Sequence, residues 1–277
     1  MGIFALVAVL IALVILRFRD DGKRKASQTE GNTKLEIAWT IAPVLVLVAL
    51  LALTVRAMNG SDPDADREPD IVVTAHQWWW SARYASGAIV ANEIHIPVGK
   101  PLVVGIESAD VVHDFWVPEL ARKIDAVPGR SSKIWMQADA PGTYVGACAE
   151  YCGVQHAWMR ILVVAESEAD FAAWEKKTLT PPPAPVAEDA ARGAKLFASM
   201  TCIKCHNIGN DGASVAPDLT HIASRTTLGA GVAPNNPTTL AHWLKSPGDV
   251  KPGCHMPDAN LSDQDTSDLV AYFETLQ

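Results

Sequence analysis

The stretch Cys148-Ala149-Glu150-Tyr151-Cys152-Gly153-Val154-Gln155-His156-Ala157-Trp158-Met159 puts two thiols, an imidazole and a thioether within twelve residues. Soft sulfur ligands combined with imidazole select copper or zinc. A mononuclear blue-copper site needs a single Cys, and a structural zinc site takes four Cys or His and gains nothing from a thioether. Two Cys, one Met and a second His from elsewhere suit two coppers bridged by both thiolates, each metal taking one imidazole. Such a pair spreads one electron over two metals, so little surrounding structure must move on electron transfer. The second imidazole is expected from His113, in Val112-His113-Asp114-Phe115-Trp116-Val117-Pro118, at a strand end whose loop can face the cysteine loop. His76 and His95 lack such a context and read as structural.

Around this loop, residues 70–165 alternate short apolar runs with turn signals. Residues 71–74, 94–96, 102–104, 133–136 and 161–164 are β-branched or apolar, and Pro97-Val98-Gly99, Pro128-Gly129 and Pro141-Gly142 punctuate them. Short strands at this spacing predict an all-β sandwich or barrel. Ser167-Glu168-Ala169-Asp170 then opens a short helix through Lys177.

Toward the amino terminus the chain becomes apolar. Residues 1–16 carry no charge, and residues 37–55 form a second uncharged run of about the length a bilayer needs. Basic residues follow the first run instead of preceding it, and no small-residue cleavage site appears, which argues against a secretory signal. The predicted arrangement is a transmembrane hairpin whose connecting loop, with Arg17, Arg19, Lys23, Arg24, Lys25 and Lys34, stays in the cytoplasm. The remainder is then periplasmic or external. Residues 1–57 hold seven Lys/Arg against four Asp/Glu, and the rest holds 16 against 27. That acidic soluble part argues against nucleic acid as a partner and is compatible with a basic protein. Glu36 stands at the cytoplasmic mouth of the second helix, where the helix dipole alone favours a carboxylate.

Beyond residue 178, Pro181-Pro182-Pro183-Ala184-Pro185 marks a semi-rigid spacer. Cys202-Ile203-Lys204-Cys205-His206 follows a helical stretch, and Cys-x-x-Cys-His is the attachment signal for a c-type haem. The two thiols take the vinyl groups and the imidazole becomes the proximal iron ligand. A redox dithiol or a zinc knuckle can share the pentapeptide. Lys251-Pro252-Gly253-Cys254-His255-Met256-Pro257 offers a distal thioether in Met256, with His255 and His221 as competitors. A His/Met pair raises the haem potential. Cys254 reads as a small buried hydrophobe, and the five cysteines fall into two ligand sets instead of a disulfide framework. Ser262-Asp263-Gln264-Asp265 caps a final helix in which Leu269, Tyr272 and Phe273 can meet Phe197.

The pattern Cys-x-Glu-x-Cys-Gly-x-x-His-x-x-Met resembles the binuclear CuA motif of cytochrome c oxidase subunit II. The likeness extends to Glu36-Ile37-Ala38-Trp39-Thr40, His76-Gln77-Trp78-Trp79-Trp80-Ser81 and Asp125-Ala126-Val127-Pro128-Gly129-Arg130. It implies a cupredoxin fold with copper ligands His113, Cys148, Cys152, His156 and Met159 and the carbonyl of Glu150. It also implies a magnesium ion on the Glu150 carboxylate at the subunit I interface, an electron relay at Trp78, and a proton-channel mouth at Glu36. Residues after the linker resemble a class I cytochrome c domain, so the whole looks like subunit II of a caa3-type oxidase. The expected organisation is a multidomain membrane protein: a two-helix transmembrane hairpin (1–58), an all-β cupredoxin-like domain (59–178), a linker (179–188) and an all-α cytochrome c domain (189–277).

What the resemblance implies is electron flow from haem c through CuA to the haems of subunit I, where oxygen is reduced to water and protons are pumped. Subunits I and III of a bacterial plasma-membrane oxidase would be partners, with a soluble cytochrome c or a bc-type complex as donor. A copper-containing nitric oxide reductase small subunit shares the copper domain, and the partner subunit or a substrate assay separates the two. A membrane-tethered redox carrier is the non-enzymatic rival; a hairpin argues against it, because one anchor suffices for tethering.

Overall fold

The computed structural model describes residues 2–19, 22, 30–61, 66–209, 211–212 and 215–277. It divides into two units, Met1–Ala57 and Met58–Gln277.

In the first unit, helix α1 (Gly2–Arg17) has 16 residues and no charge before Arg17. At about 1.5 Å per residue it reaches roughly 24 Å, short of a hydrocarbon core of about 30 Å. Helix α2 (Thr33–Ser61) begins where the Asn32 side chain accepts the Leu35 N–H at 3.2 Å, and contains Pro43. Its segment Thr33–Met58 is long and apolar enough to cross a membrane, and its large apolar side chains are exposed. Of the two spans expected for a hairpin, one is clear, and α1 is too short to qualify alone. Lys23, Arg24 and Lys25, on which the loop's orientation rests, lie outside the described residues.

The second unit opens with a sandwich of two five-stranded sheets. One runs in the order β3 (Ile89–Ala91), β2 (Trp79–Tyr84), β1 (Ile71–His76), β5 (Leu102–Ser108), β8 (Ser132–Met136). The other runs β4 (Glu93–Pro97), β10 (Arg160–Glu166), β9 (Gly142–Cys148), β6 (His113–Trp116), β7 (Ile124–Ala126). Alternation in β1 turns Ile71, Val73 and Ala75 inward. Between the sheets lie Trp80, Phe115, Ile134, Met136 and Ile161, all fully buried, each worth about 1.5–3 kcal/mol in removed apolar surface. The edge of the Phe115 ring meets Trp80 at 5.7 Å. Helix α3 (Glu168–Thr178), capped by Ser167 accepting the Asp170 N–H, sets Phe171 and Trp174 against Tyr84.

After the proline-rich stretch, helix α4 (Glu188–Ser199) crosses the last helix, whose cap is the Ser262/Asp265 box. Between them come α5 (Pro237–Lys245) and the single turn α6 (Pro247–Val250); the last helix is α7 (Asp263–Glu274). Phe197 meets Phe273 edge-on at 6.0 Å and Tyr272 at 6.3 Å, as expected. Gly193 permits the crossing, because a Cβ there would collide with the Asp268 backbone carbonyl. Arg192 fastens it, donating from Nε and Nη2 to the two Asp268 carboxylate oxygens, each at 2.8 Å. The domain is not purely helical. Asn207–Ile208 pairs with Asp211–Gly212. Thr227–Leu228 pairs with Ala233–Pro234, because Gly229, Ala230 and Gly231 adopt positive φ and turn the chain back.

Candidate metal and haem centres

Strands β9 and β10 pair antiparallel, and the loop between them carries Cys152. Cys148 ends β9, its N–H held by the Met159 carbonyl at 3.0 Å. His156 opens a one-turn 3-10 helix, and Met159 is buried just before β10. Strand β6 pairs with β9, which brings His113 to the same end of the sandwich. The chain doubles back at Gly153, where φ is +119° and a Cβ would lie 2.9 Å from the Trp78 ring.

The two sulfurs are 3.8 Å apart, too far for a disulfide. His113 Nδ1 approaches Cys148 Sγ at 3.8 Å, and His156 Nδ1 approaches Cys152 Sγ at 3.8 Å. Met159 Sδ lies 4.0 Å from Cys152 Sγ, and the Glu150 carbonyl 3.2 Å from Cys148 Sγ. Each imidazole thus serves a different sulfur. Ligand bonds of about 2.3 Å for sulfur and 2.0 Å for nitrogen allow a shared ion to hold a sulfur–nitrogen pair up to about 4.3 Å apart. The donor set fits a soft metal pair.

Electrostatics agree with that fit. Its hydrogen bond with Cys152 holds the Cys148 thiol down, to about 3, with His113 and two backbone contacts helping and burial opposing. Cys152 is driven up in turn, by Cys148 first and then by burial. The two thiols oppose each other's ionisation, and a soft cation held by these residues would relieve that opposition. Burial opposes the His113 imidazolium, but the Cys148 sulfur and Asp110 together raise its pKa. Asp110 Oδ1 takes the His113 Nε2 hydrogen at 2.8 Å and leaves Nδ1 facing the sulfur.

Trp78 is buried, and its indole N–H donates to the Cys152 carbonyl at 3.0 Å; the Gln77 amide donates to the same oxygen at 2.8 Å. Its neighbours do other work. Trp79 stacks on His76, and Trp80 fills the core. His95 meets Glu166 and stacks on Trp174, a structural role, as expected. Glu36 lies in the first turn of α2. Among the described residues, His113, Cys148 and Cys152 form the group of ligand atoms mutually within 4.8 Å; the Glu150 carboxylate is not part of it.

In the second domain, Cys202 and Cys205 occupy a tight turn, with the Cys205 and His206 N–H groups both donating to the Cys202 carbonyl. His206 Nδ1 donates to the Pro217 carbonyl at 2.7 Å, leaving Nε2 as a bare ligand nitrogen, and burial lowers its pKa. Met256 packs against the same core as Cys202 and Ile203. These residues fit a covalent haem. His221 is engaged at both ring nitrogens, by the carbonyls of Gln277 and Thr178. The His255 ring lies 4.6 Å from that of Trp78. Sequence reading missed Gln77, Asp110 and Gln155, which support the candidate donors; a carboxylate three residues before His113 was the one available signal.

Three family descriptions match the chain: "Cytochrome C oxidase subunit II, transmembrane domain" over residues 1–55, "Cytochrome C oxidase subunit II, periplasmic domain" over 86–166, and "Cytochrome c" over 190–277. Cytochrome c oxidase subunit 2 of Alkalihalophilus pseudofirmus is 35% identical over 286 residues, covering 99% of this chain and 82% of the relative. The Bacillus subtilis (strain 168) protein of that name is 31% identical, covering 97% and 83%. Quinol oxidase subunit 2 of the same strain is 36% identical but covers only 64% of this chain and 58% of the relative. With likeness along almost its whole length, the chain belongs to the cytochrome c oxidase subunit 2 family, in the form with a fused cytochrome c domain.

Proposed function

We propose that this chain is the electron-input subunit of a caa3-type oxidase, carrying electrons from haem c to a binuclear CuA centre and on to subunit I. The reading is carried by one observation: each of two imidazoles approaches a different sulfur of a thiol pair, at 3.8 Å, within the unit that also holds the Cys-x-x-Cys-His turn. When bound, the copper pair and the haem supply one-electron redox chemistry.

The residues do the rest. Cys148, Cys152, His113 and His156 would hold the copper pair, with Met159 and the Glu150 carbonyl as further donors beside them. Asp110 aims His113, while Gln77 and Trp78 pin the loop through the Cys152 carbonyl. Cys202 and Cys205 would anchor the haem, and His206, oriented by Pro217, and Met256 would hold its iron. Trp78 serves as the electron relay. Electrons leave toward subunit I on the copper-loop side, where Tyr151 and Trp158 are exposed. There oxygen reduction and proton pumping take place, with Glu36 at a proton-channel mouth. A magnesium ion on the Glu150 carboxylate would draw its other ligands from that subunit.

The domain limits proposed are 1–58, 59–178, 179–188 and 189–277. Residues 1–58 form the hairpin in a bacterial plasma membrane, α1 extended by Phe18 with Arg17 snorkelling, and the loop cytoplasmic. Subunit III is a further partner, and the donor is a soluble cytochrome c or a bc-type complex. The rival tethered-carrier reading predicts a chain active without subunit I. Electron paramagnetic resonance with metal and haem analysis on the purified membrane complex tests the proposal. A mixed-valence copper signal lost in Cys152→Ser, together with covalent haem, is expected. Zinc or a single isolated copper at the loop refutes it.

A further inference from the structure

The copper and haem domains meet through polar groups buried for that purpose. Glu93, only 4% exposed on β4, accepts from the backbone N–H and hydroxyl groups of both Thr226 and Thr227, at 2.8–3.0 Å. A buried carboxylate is tolerated only when hydrogen-bonded, and these four donors come from the other domain, 133 and 134 residues along the chain. On the copper loop, Gln155 is 1% exposed and its amide donates to the carbonyls of Lys251 and Pro252. Lys251, 4% exposed, returns its ammonium to the Trp78 carbonyl at 2.8 Å. Between these contacts the His255 ring rests against Trp78, centroids 4.6 Å apart.

Resting on the reading of the two centres given above, we propose that Glu93 and Lys251 are positioning residues. They latch the haem domain onto the copper domain and hold His255 on Trp78 as the internal electron contact. The route is short in bonded terms. His255 adjoins Met256, and one ring contact leads to Trp78, whose indole N–H is hydrogen-bonded to the carbonyl of Cys152. One electron lost on the haem side is gained on the copper side, with no bond broken and no proton moved. Because through-space transfer falls steeply with separation, a loosened latch slows this step and no other. The docked haem domain also covers part of the Trp78 surface, which makes Trp78 an acceptor from within the chain.

The test uses the whole oxidase with Glu93→Ala, Lys251→Met, His255→Leu and His255→Phe. Laser-triggered reduction of the haem, followed at haem and copper wavelengths, gives the internal transfer rate. Hydrogen exchange over residues 226–231 and 251–255 reports docking. Expected in Glu93→Ala and Lys251→Met are faster exchange in both segments and haem-to-copper transfer slowed by about tenfold or more. The haem spectrum, the copper signal and reduction of the haem by external donor stay as in the parent. His255→Leu slows transfer with docking intact, and the ring-bearing His255→Phe restores it. An unchanged transfer rate, or unchanged exchange in both latch variants, overturns the proposal. Should Glu93→Ala not assemble, Lys251→Met and the His255 pair decide between the same two outcomes. A parent complex lacking a mixed-valence copper signal instead overturns the underlying functional reading.

Discussion

At the residue scale, the groups that touch no metal decide how well the ligands are aimed. Asp110 accepts three hydrogens, from His113 Nε2 at 2.8 Å and from the backbone of Val111 and Gln77 at 2.6 Å each. Asp110→Asn keeps the shape but removes the charge that fixes the His113 tautomer. Copper affinity, measured by chelator competition, should fall about 10–100-fold with the mixed-valence signal retained; unchanged affinity would mean that packing alone orients His113. At the haem, Met256→Leu should lower the potential and shift the ligand band, since a thioether axial ligand raises it. His221 is held by two carbonyls and His255 faces Trp78, so neither stands ready to replace the thioether; a potential identical to the parent's would place another ligand on the iron. The candidate donors from Cys148 to Met159 were legible in the sequence because they lie within twelve residues, whereas His113 stands 35 residues from Cys148. Glu93 and Lys251 were not, since their partners are 133 and 173 residues away.

Among the elements, the crossing of α4 and α7 is the joint on which the haem domain depends. A Cβ at position 193 would press into the Asp268 carbonyl and lie 2.8 Å from Tyr272 Cβ, so Gly193→Ala must push two helices apart. We expect a loss of about 1–3 kcal/mol in thermal unfolding of the haem domain followed at the haem band; an unaltered midpoint would show that the helices slide freely. Beside it, the Arg192 guanidinium holds Asp268 below the usual carboxylate range. A carboxylate depressed by folding contributes stability above its unfolded pKa, lost as pH falls through its folded value. Asp268→Asn should therefore lower stability at neutral pH and shrink the difference from the parent in acid, an offset independent of pH being the contrary result. Phe197, Tyr272 and Phe273 announced this joint through helical spacing. Several strands were less legible: β3 and β7 are three residues long, and β9 carries two glycines and turns an apolar Val145 outward while Gly146 faces in, so its residue types do not alternate although its burial does.

At the scale of the whole molecule, the charge is split in a way that bears on how electrons arrive. The chain's formal charge is −8, and the part beyond residue 57 holds 27 acidic against 16 basic residues. An acidic surface attracts a basic donor from a distance, and such steering raises association rates by about 10–10³-fold. Screening limits its reach to about 30 Å at 10 mM salt and about 8 Å at 0.15 M. The interdomain contacts are buried and already formed, so salt has little influence on them. Two steps in one molecule should thus respond differently. The second-order rate of haem reduction by a basic cytochrome should fall steeply with ionic strength, while haem-to-copper transfer within the chain stays constant. Stopped-flow mixing reads the first step, and laser-triggered reduction in the same buffers reads the second. Parallel decline of both rates would mean that the haem domain undocks and rebinds by charge attraction during turnover, which would make the proline-rich stretch before α4 a working hinge in place of a passive spacer. Flat profiles for both would remove the acidic surface from donor recognition altogether.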